Sequence, residues 1–223
     1  MKQLIRSYVE RIILIIIFGT ISGIFLYGAH VIRQRQQPQY QLEQQWGPHS
    51  KYILKSLFSP DDQIEDYLIN LIDSEKKRIR IAIFSFTSSR VANALLDARD
   101  RGIDIEIVAD GDNSNGTYSK IALLRSHQIP LWLYPSDRSK SKGSVGIMHN
   151  KFIIFSSSLF DEPLLWTGSY NFTRSANDRN QENVLITNNP TMIKAYQHTF
   201  EQLKKRSIVV TIMPLVQLTS RNA

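Results

Sequence analysis

Four side chains of this 223-residue chain have the types and spacing needed for chemistry at phosphorus: His149, Lys151, Ser169 and Asn171. They lie in two short runs, His149-Asn150-Lys151-Phe152 and Gly168-Ser169-Tyr170-Asn171-Phe172-Thr173. A phosphodiester carries its negative charge on the non-bridging oxygens, so an attacking group must be neutral and approach in line with the leaving oxygen. Neutral imidazole meets that requirement near pH 7, because an unperturbed histidine titrates at about 6.5. The ammonium, hydroxyl and carboxamide would supply donors to the oxygens on which charge builds in the transition state. Such a set requires no metal and no cofactor. Taken singly, each residue is bland: a histidine beside an apolar strand is usually structural, and Gly-Ser-x-Asn is usually a turn. Their joint occurrence carries the expectation.

H-x-K followed by G-S-x-N-F-T resembles the phospholipase D superfamily, whose signature is H-x-K-x4-D-x6-G-S-x-x-N or a close variant. The likeness is greatest to its small single-motif members, the bacterial Nuc-type endonucleases and the mitochondrial cardiolipin hydrolase/Zucchini group. It extends from Ser59 to Leu203 and includes Ile79-Arg80-Ile81-Ala82-Ile83-Phe84-Ser85-Phe86-Thr87 and Ala98-Arg99-Asp100-Arg101-Gly102-Ile103. The resemblance implies that His149 is a nucleophile passing through a phosphohistidine, and that Lys151, Ser169 and Asn171 clamp phosphate with Gly168 beside them. It further implies that Glu182 is the carboxylate that hydrogen-bonds and orients the histidine. One departure stands out: Ser156 occupies the position of the signature Asp, and Gly168 arrives five residues later than the minimal spacing. Asp161 and Glu162 lie in that expansion as candidate replacements, although the missing Asp reads as more structural than chemical.

To position these groups, the chain is expected to fold as an α/β phospholipase D-like sandwich, a mixed central sheet flanked by helices. Ser59-Pro60-Asp61-Asp62 reads as a helix start with Ser59 as cap, and the helix runs to Ser74. Arg78 to Thr87 reads as a strand and Ser89 to Arg101 as an amphipathic helix stopped by Gly102. Ile103 to Ala109 is a strand, Thr117 to His127 a helix and Pro130 to Tyr134 a strand, the alternation of parallel crossover units. The chemistry falls on a hairpin with arms Ile147 to Phe155 and Leu164 to Thr167, followed by a strand Asn183 to Thr187 and a helix Pro190 to Lys204. The apolar run Ile208 to Leu218 reads as an added edge strand or a docking surface.

The expected domains are a flank 1–11, a membrane-spanning anchor 12–32, a polar linker 33–50, the catalytic domain 51–206 and an extension 207–223. Ile12 to Ile32 contains no Asp, Glu, Lys or Arg. As a helix it would span about 31 Å, matching a hydrocarbon core of about 30 Å. A cleaved signal peptide is the rival, but its apolar region is usually about 7 to 15 residues. Lys2, Arg6 and Arg11 precede the span against Arg33 and Arg35 after it, which favours a cytoplasmic N-terminus and, in a bacterium, a periplasmic catalytic domain. Cysteine is absent, which removes disulfides and thiolate metal sites.

A phosphohistidine mechanism needs a second group opposite phosphorus to protonate the leaving oxygen. Only one H-x-K is present, and single-motif relatives resemble halves paired about a two-fold axis, so a homodimer with facing copies of His149 is expected. The alternatives are His49, His127 or His198 within one chain. Net charge is +7, and Arg138, Lys140, Lys142, Arg174 and Arg179 flank the motifs as candidate contacts to a polyanion. Tyr118 reads as a candidate for stacking and Trp132 as core. Three functions follow: a membrane-anchored nuclease, a phospholipase D or cardiolipin hydrolase acting on membrane phospholipids, and a binding protein that keeps the clamp without turnover.

Overall fold

The computed structural model describes residues 52–136 and 146–210, all within one compact unit, His49–Ala223. In chain order the elements are β1 (Leu54–Ser59), α1 (Ile64–Ser74), β2 (Arg78–Ile83), α2 (Ser89–Asp100), β3 (Asp104–Asp110), α3 (Gly111–Ser114), α4 (Ile121–Ser126) and β4 (Leu131–Tyr134). They continue with β5 (Lys151–Phe155), a 3-10 turn at Leu159–Asp161, β6 (Leu164–Gly168), α5 (Arg174–Asp178), β7 (Glu182–Thr187), α6 (Pro190–Lys205) and β8 (Ile208–Val209).

The strands form one sheet in the order β1-β7-β6-β5-β2-β3-β4-β8. Only β2, β3 and β4 are parallel to their neighbours through crossovers, and the remaining pairs are antiparallel. The sheet is therefore mixed, as the apolar runs and the hairpin together predict. Its centre is β5, whose five residues are all buried. Such a strand reads as a continuous apolar run because both faces are covered.

On one face α6 covers a core of Ala82, Val108, Met148, Phe152, Ile154, Leu165, Ile193, Phe200 and Leu203. Its sequence fixes both ends. Asn189 accepts from the backbone N–H groups of Thr191 and Met192, Pro190 fills the first turn, and Lys204 and Lys205 lie at the negative end of the dipole. Ile79, Ile81 and Ile83 alternate with Ala82 and are fully buried, so they face the other way, toward α1 and α2. Helix α2 starts where the Ser88 hydroxyl accepts from Val91 N at 3.2 Å. It stops at Gly102, whose φ of +86° is open to glycine at little cost.

Four expectations need correction. The first helix begins at Ile64, not at Ser59. Ser59 instead ends β1 and donates its hydroxyl to Asn180 O at 3.0 Å, while Asp62 folds back to accept from Phe58 N at 2.7 Å. That strand itself is unexpected in sequence, because it exposes Leu54 and Phe58 and buries Ser59 beside Leu57, so apolar residues fall on both faces. The helix expected over 117–127 is confined to Ile121–Ser126, since Lys120 N is drawn to Phe86 O at 2.9 Å. Finally, α5 was not expected; Thr173 caps it by accepting from Ala176 N. At the chain end, Ile208–Val209 is an edge strand on β4. The expected anchor 12–32, the linker 33–50 and residues 211–223 lie outside the described residues. Among the described ones no helix is long and apolar enough to cross a membrane.

Candidate active site

The sheet register brings the functional residues to one end. Lys151 opens β5 opposite Ile83, the last residue of β2. Gly168 closes β6 and Glu182 opens β7, opposite Ser59 of β1. Asp110 ends β3, parallel to β2, at the same end. His149, Lys151, Ser169, Asn171 and Glu182 thus meet at one rim although 33 residues separate the first from the last in sequence.

His149 is exposed at that rim and its ring lies edge-on to Phe84, with centroids 4.4 Å apart. Lys151 is buried; its ammonium donates to His149 O at 2.6 Å and sits 5.0 Å from the centre of the same Phe84 ring. Phe84 is therefore a common wall for the His149 imidazole and the Lys151 ammonium. The second run is tied to the first through Ser85, whose N–H donates to Asn171 Oδ1 at 3.1 Å. With its oxygen so occupied, Asn171 has its NH2 end to offer an anion. Phe172 locks this loop: it bridges Phe86, accepts from the N–H groups of Thr87 and Ser88, and donates to Ser85 O.

The electrostatics suit a nucleophile. Desolvation first, and then the Lys151 ammonium, hold the His149 imidazole below its ordinary pKa, with Asp110 opposing them. The ring thus favours its neutral form more than a free imidazole does. Burial likewise depresses Lys151, against the pull of Glu182.

A profile of the family described as "Cardiolipin synthase, PLD-like domain" matches residues 68–204. The chain belongs to this phospholipase D-like family. Among curated relatives, the mitochondrial cardiolipin hydrolase of Xenopus tropicalis is 31% identical over 136 residues, which is 61% of this chain and 59% of that protein. The chain therefore matches about three fifths of that relative's length. A phospholipase D of Rickettsia bellii is 28% identical over 71% of this chain and 72% of its own length. Among solved structures, the phospholipase D family member Nuc from Salmonella typhimurium superposes with a TM-score of 0.61 at 26% identity, covering 73% of this chain and all of Nuc. Family and fold are thereby shown, and the function has to be argued from the site itself.

Within this PLD-like site, some expected residues stand differently from their assigned roles. Glu182 does not orient His149 within the chain: its Oε2 accepts from the Ser169 hydroxyl at 2.5 Å and its Oε1 from Asn180 Nδ2 at 2.9 Å. The β6–β7 register explains this, since Ser169 N also donates to Asn183 O and Asn183 N to Ser169 Oγ. Ser169 consequently reaches phosphate only by releasing that carboxylate. Gly168 serves the backbone rather than the substrate, because a Cβ there would collide with the carbonyl oxygen of Asn183. Asp161 and Glu162 lie beyond the far end of β5 and are engaged with Lys76 and Asn188. They cannot replace a carboxylate at His149.

His127 lies at the opposite end of the sheet, before β4, with its ring nitrogen against Leu123 O at 3.0 Å. His198 is exposed on α6. His49, Arg138, Lys140 and Lys142 lie outside the described residues. Arg174 is 89% exposed and turns its guanidinium to Asp178. Trp132 is half-buried under the Lys204 ammonium at 4.0 Å, and Tyr118 is exposed. Phe84 and Asp110 were the residues missed. Asp110 closes β3 and Phe84 directly follows β2, and nothing in the spelling of either separates it from an ordinary strand end.

Proposed function

We propose that the chain is a metal-independent, membrane-anchored endonuclease that cleaves DNA or RNA through a phosphohistidine on His149 in a homodimeric site. The observation that carries this reading is an exposed, neutral-leaning imidazole beside a buried ammonium, with no second histidine at that rim among the described residues. In the first step an imidazole nitrogen of His149 forms a bond to phosphorus while the P–O bond to the leaving group breaks. The partner copy's imidazolium gives its proton to that oxygen. That same ring, now neutral, takes a proton from water as the water oxygen attacks phosphorus and the P–N bond breaks. Both histidines return to their starting states. Because the rings face each other, their protonation is coupled and one is charged while the other is neutral.

The +7 net charge and the arginines that follow the clamp, Arg174 and Arg179, favour a polyanion. The Ser156 substitution does not argue for lost turnover, since that residue lies past the far end of β5 and gives its N–H to Arg78 O. The second reading is a phospholipase D or cardiolipin hydrolase acting on membrane phospholipids, favoured by the relatives that carry those names. The anchor 12–32 would hold the domain near headgroups, in the periplasm if the host is a bacterium.

The deciding experiment incubates the purified full chain, in excess chelator, with labelled oligonucleotides and with vesicles containing cardiolipin or phosphatidylglycerol. Cleavage of nucleic acid alone, abolished by His149→Ala, is expected. Headgroup release alone selects the lipid reading, and binding of either without turnover selects the non-catalytic one. A fully active monomer at high dilution would remove the shared site.

A further inference from the structure

Asp110 ends β3 with no exposed surface and takes no part in the steps just described. Its carboxylate collects four donors. Oδ1 accepts from Asn113 N at 3.0 Å and from Asn113 Nδ2 at 2.8 Å, while Oδ2 accepts from Met148 N at 3.2 Å and from the Ser136 hydroxyl. None of these donors is a cation, so the charge is solvated by dipoles and not cancelled. Burial pushes the carboxyl pKa up, but the hydrogen bonds outweigh it and hold the group below its ordinary range. It is therefore ionised wherever the site works.

Two consequences reach His149. Met148 immediately precedes it, with its side chain in the core and its N–H on Asp110, so the backbone entering the nucleophile is held from both sides. The charge also acts through space. The groups facing the imidazole are Lys151 from β5, which disfavours its protonated form, Asp110 from β3, which favours it, and the uncharged Phe84 ring after β2. Glu182 of β7 acts on Lys151. Attack on phosphorus turns a neutral ring into a cationic phosphoimidazolium, so a fixed negative charge nearby stabilises the product of that step more than its start.

We propose that Asp110 is a positioning residue of the phosphoryl-transfer site: it pins the backbone at Met148 that carries His149 and supplies the permanent negative charge that supports the cationic imidazole. This rests on the phosphodiesterase reading for its consequence in turnover, but not for its effect on the ring.

The test uses the full chain in detergent with 13C-labelled histidine, His149→Ala fixing which resonance belongs to position 149. In Asp110→Asn the His149 imidazole is expected to titrate at lower pH than in the wild type. With bis(p-nitrophenyl) phosphate as substrate, kcat is expected to fall about ten- to a hundredfold with KM little changed, the usual scale for losing a partner that orients a reacting group. A merely structural role would lower the folded fraction and leave the imidazole titration where it was. A folded Asp110→Asn protein whose His149 titrates as in the wild type overturns the proposal. Ser136→Ala with Asn113→Ala loosens the anchor by removing two of the four donors; assayed at pH 8, where the carboxyl is ionised without them, a several-fold loss of kcat is expected. Wild-type kcat in that folded double variant overturns the anchoring role, even if Asp110→Asn does not fold. A protein that hydrolyses no phosphodiester, yet shows the shifted titration, keeps this inference and rejects the phosphodiesterase reading.

Discussion

The two ends of β5 solve opposite problems with the same kind of group. At the reactive end, before Lys151, the chain leaves His149 exposed, buries an ammonium and spends the Asp110 carboxylate on holding Met148. At the far end, beyond Phe155, the family signature calls for an Asp and this chain has Ser156. There a buried Glu75, from the segment between α1 and β2, supplies a carboxylate: Oε1 accepts from Lys77 N at 2.7 Å and Arg78 N at 2.9 Å, and both oxygens accept from Ser157 N at 3.0 Å. Both carboxylates are buried without a cation among their hydrogen-bond donors. One knits only backbone and closes the strand; the other sits beside a titrating ring. The comparison teaches that a buried carboxylate can be held by backbone N–H groups alone, from whichever segment of the chain brings it into place, because such groups donate to any well-placed oxygen.

The largest effect is expected at the reactive end. In the proposed mechanism Lys151→Met removes the cation beside both His149 and the transferring phosphoryl group, and turnover should fall about a hundred- to a thousandfold, the scale of losing one preorganised transition-state donor. The same change has a signed signature in titration. Lys151 lowers the His149 pKa, so its removal raises that pKa, and the pH below which the ring is protonated moves upward, opposite to the shift expected for Asp110→Asn. Histidine-detected NMR reads both. If Lys151→Met leaves the titration unmoved, the ammonium does not act on the ring and the contrast between the strand ends weakens.

At the far end the effect should appear in stability and not in chemistry. Glu75→Ala leaves the N–H groups of Lys77, Arg78 and Ser157 without their acceptor, and a buried group so deprived costs about 1 to 3 kcal/mol. Water at the exposed Lys77 and Arg78 recovers part of this. A net loss of about 3 kcal/mol in urea unfolding is expected, with kcat retained in the folded protein. A large loss of kcat in folded Glu75→Ala would mean that the two ends are coupled through β5.

The alternation of apolar runs made β2, α2, β3, β4 and α6 legible in the sequence, since each buries a periodic face and the helices carry recognisable end signals, Gly102 after α2 and Pro190 at the start of α6. Strand β1 was not legible, because an edge strand that exposes Leu54 and Phe58 has no inward-apolar period to read. The motif residues could be grouped from spacing, but their pairings could not. Which acceptor the Ser169 hydroxyl meets is decided by the β6–β7 register, and that register sets Glu182 and Asn183 beside it. Likewise Asp110 acquires meaning only once β3 and the segment before β5 are neighbours in space.

The smallest expected effect separates a motif read by counting from one read by position. Asp161 falls within the expanded spacing between the two half-motifs and so was a candidate to replace the missing carboxylate. Yet it follows β5 at the end opposite His149 and pairs with Lys76 at 2.5 Å, where both side chains are more than half exposed. Exposed pairs of this kind contribute about 0 to 1 kcal/mol, much of it screened at physiological salt. Asp161→Asn should therefore change unfolding free energy by less than about 0.5 kcal/mol and leave kcat and KM at wild-type values. Steady-state kinetics on bis(p-nitrophenyl) phosphate decides it. A tenfold drop in kcat for this variant would place chemistry at the far end of the strand and dissolve the division between an end that reacts and an end that holds.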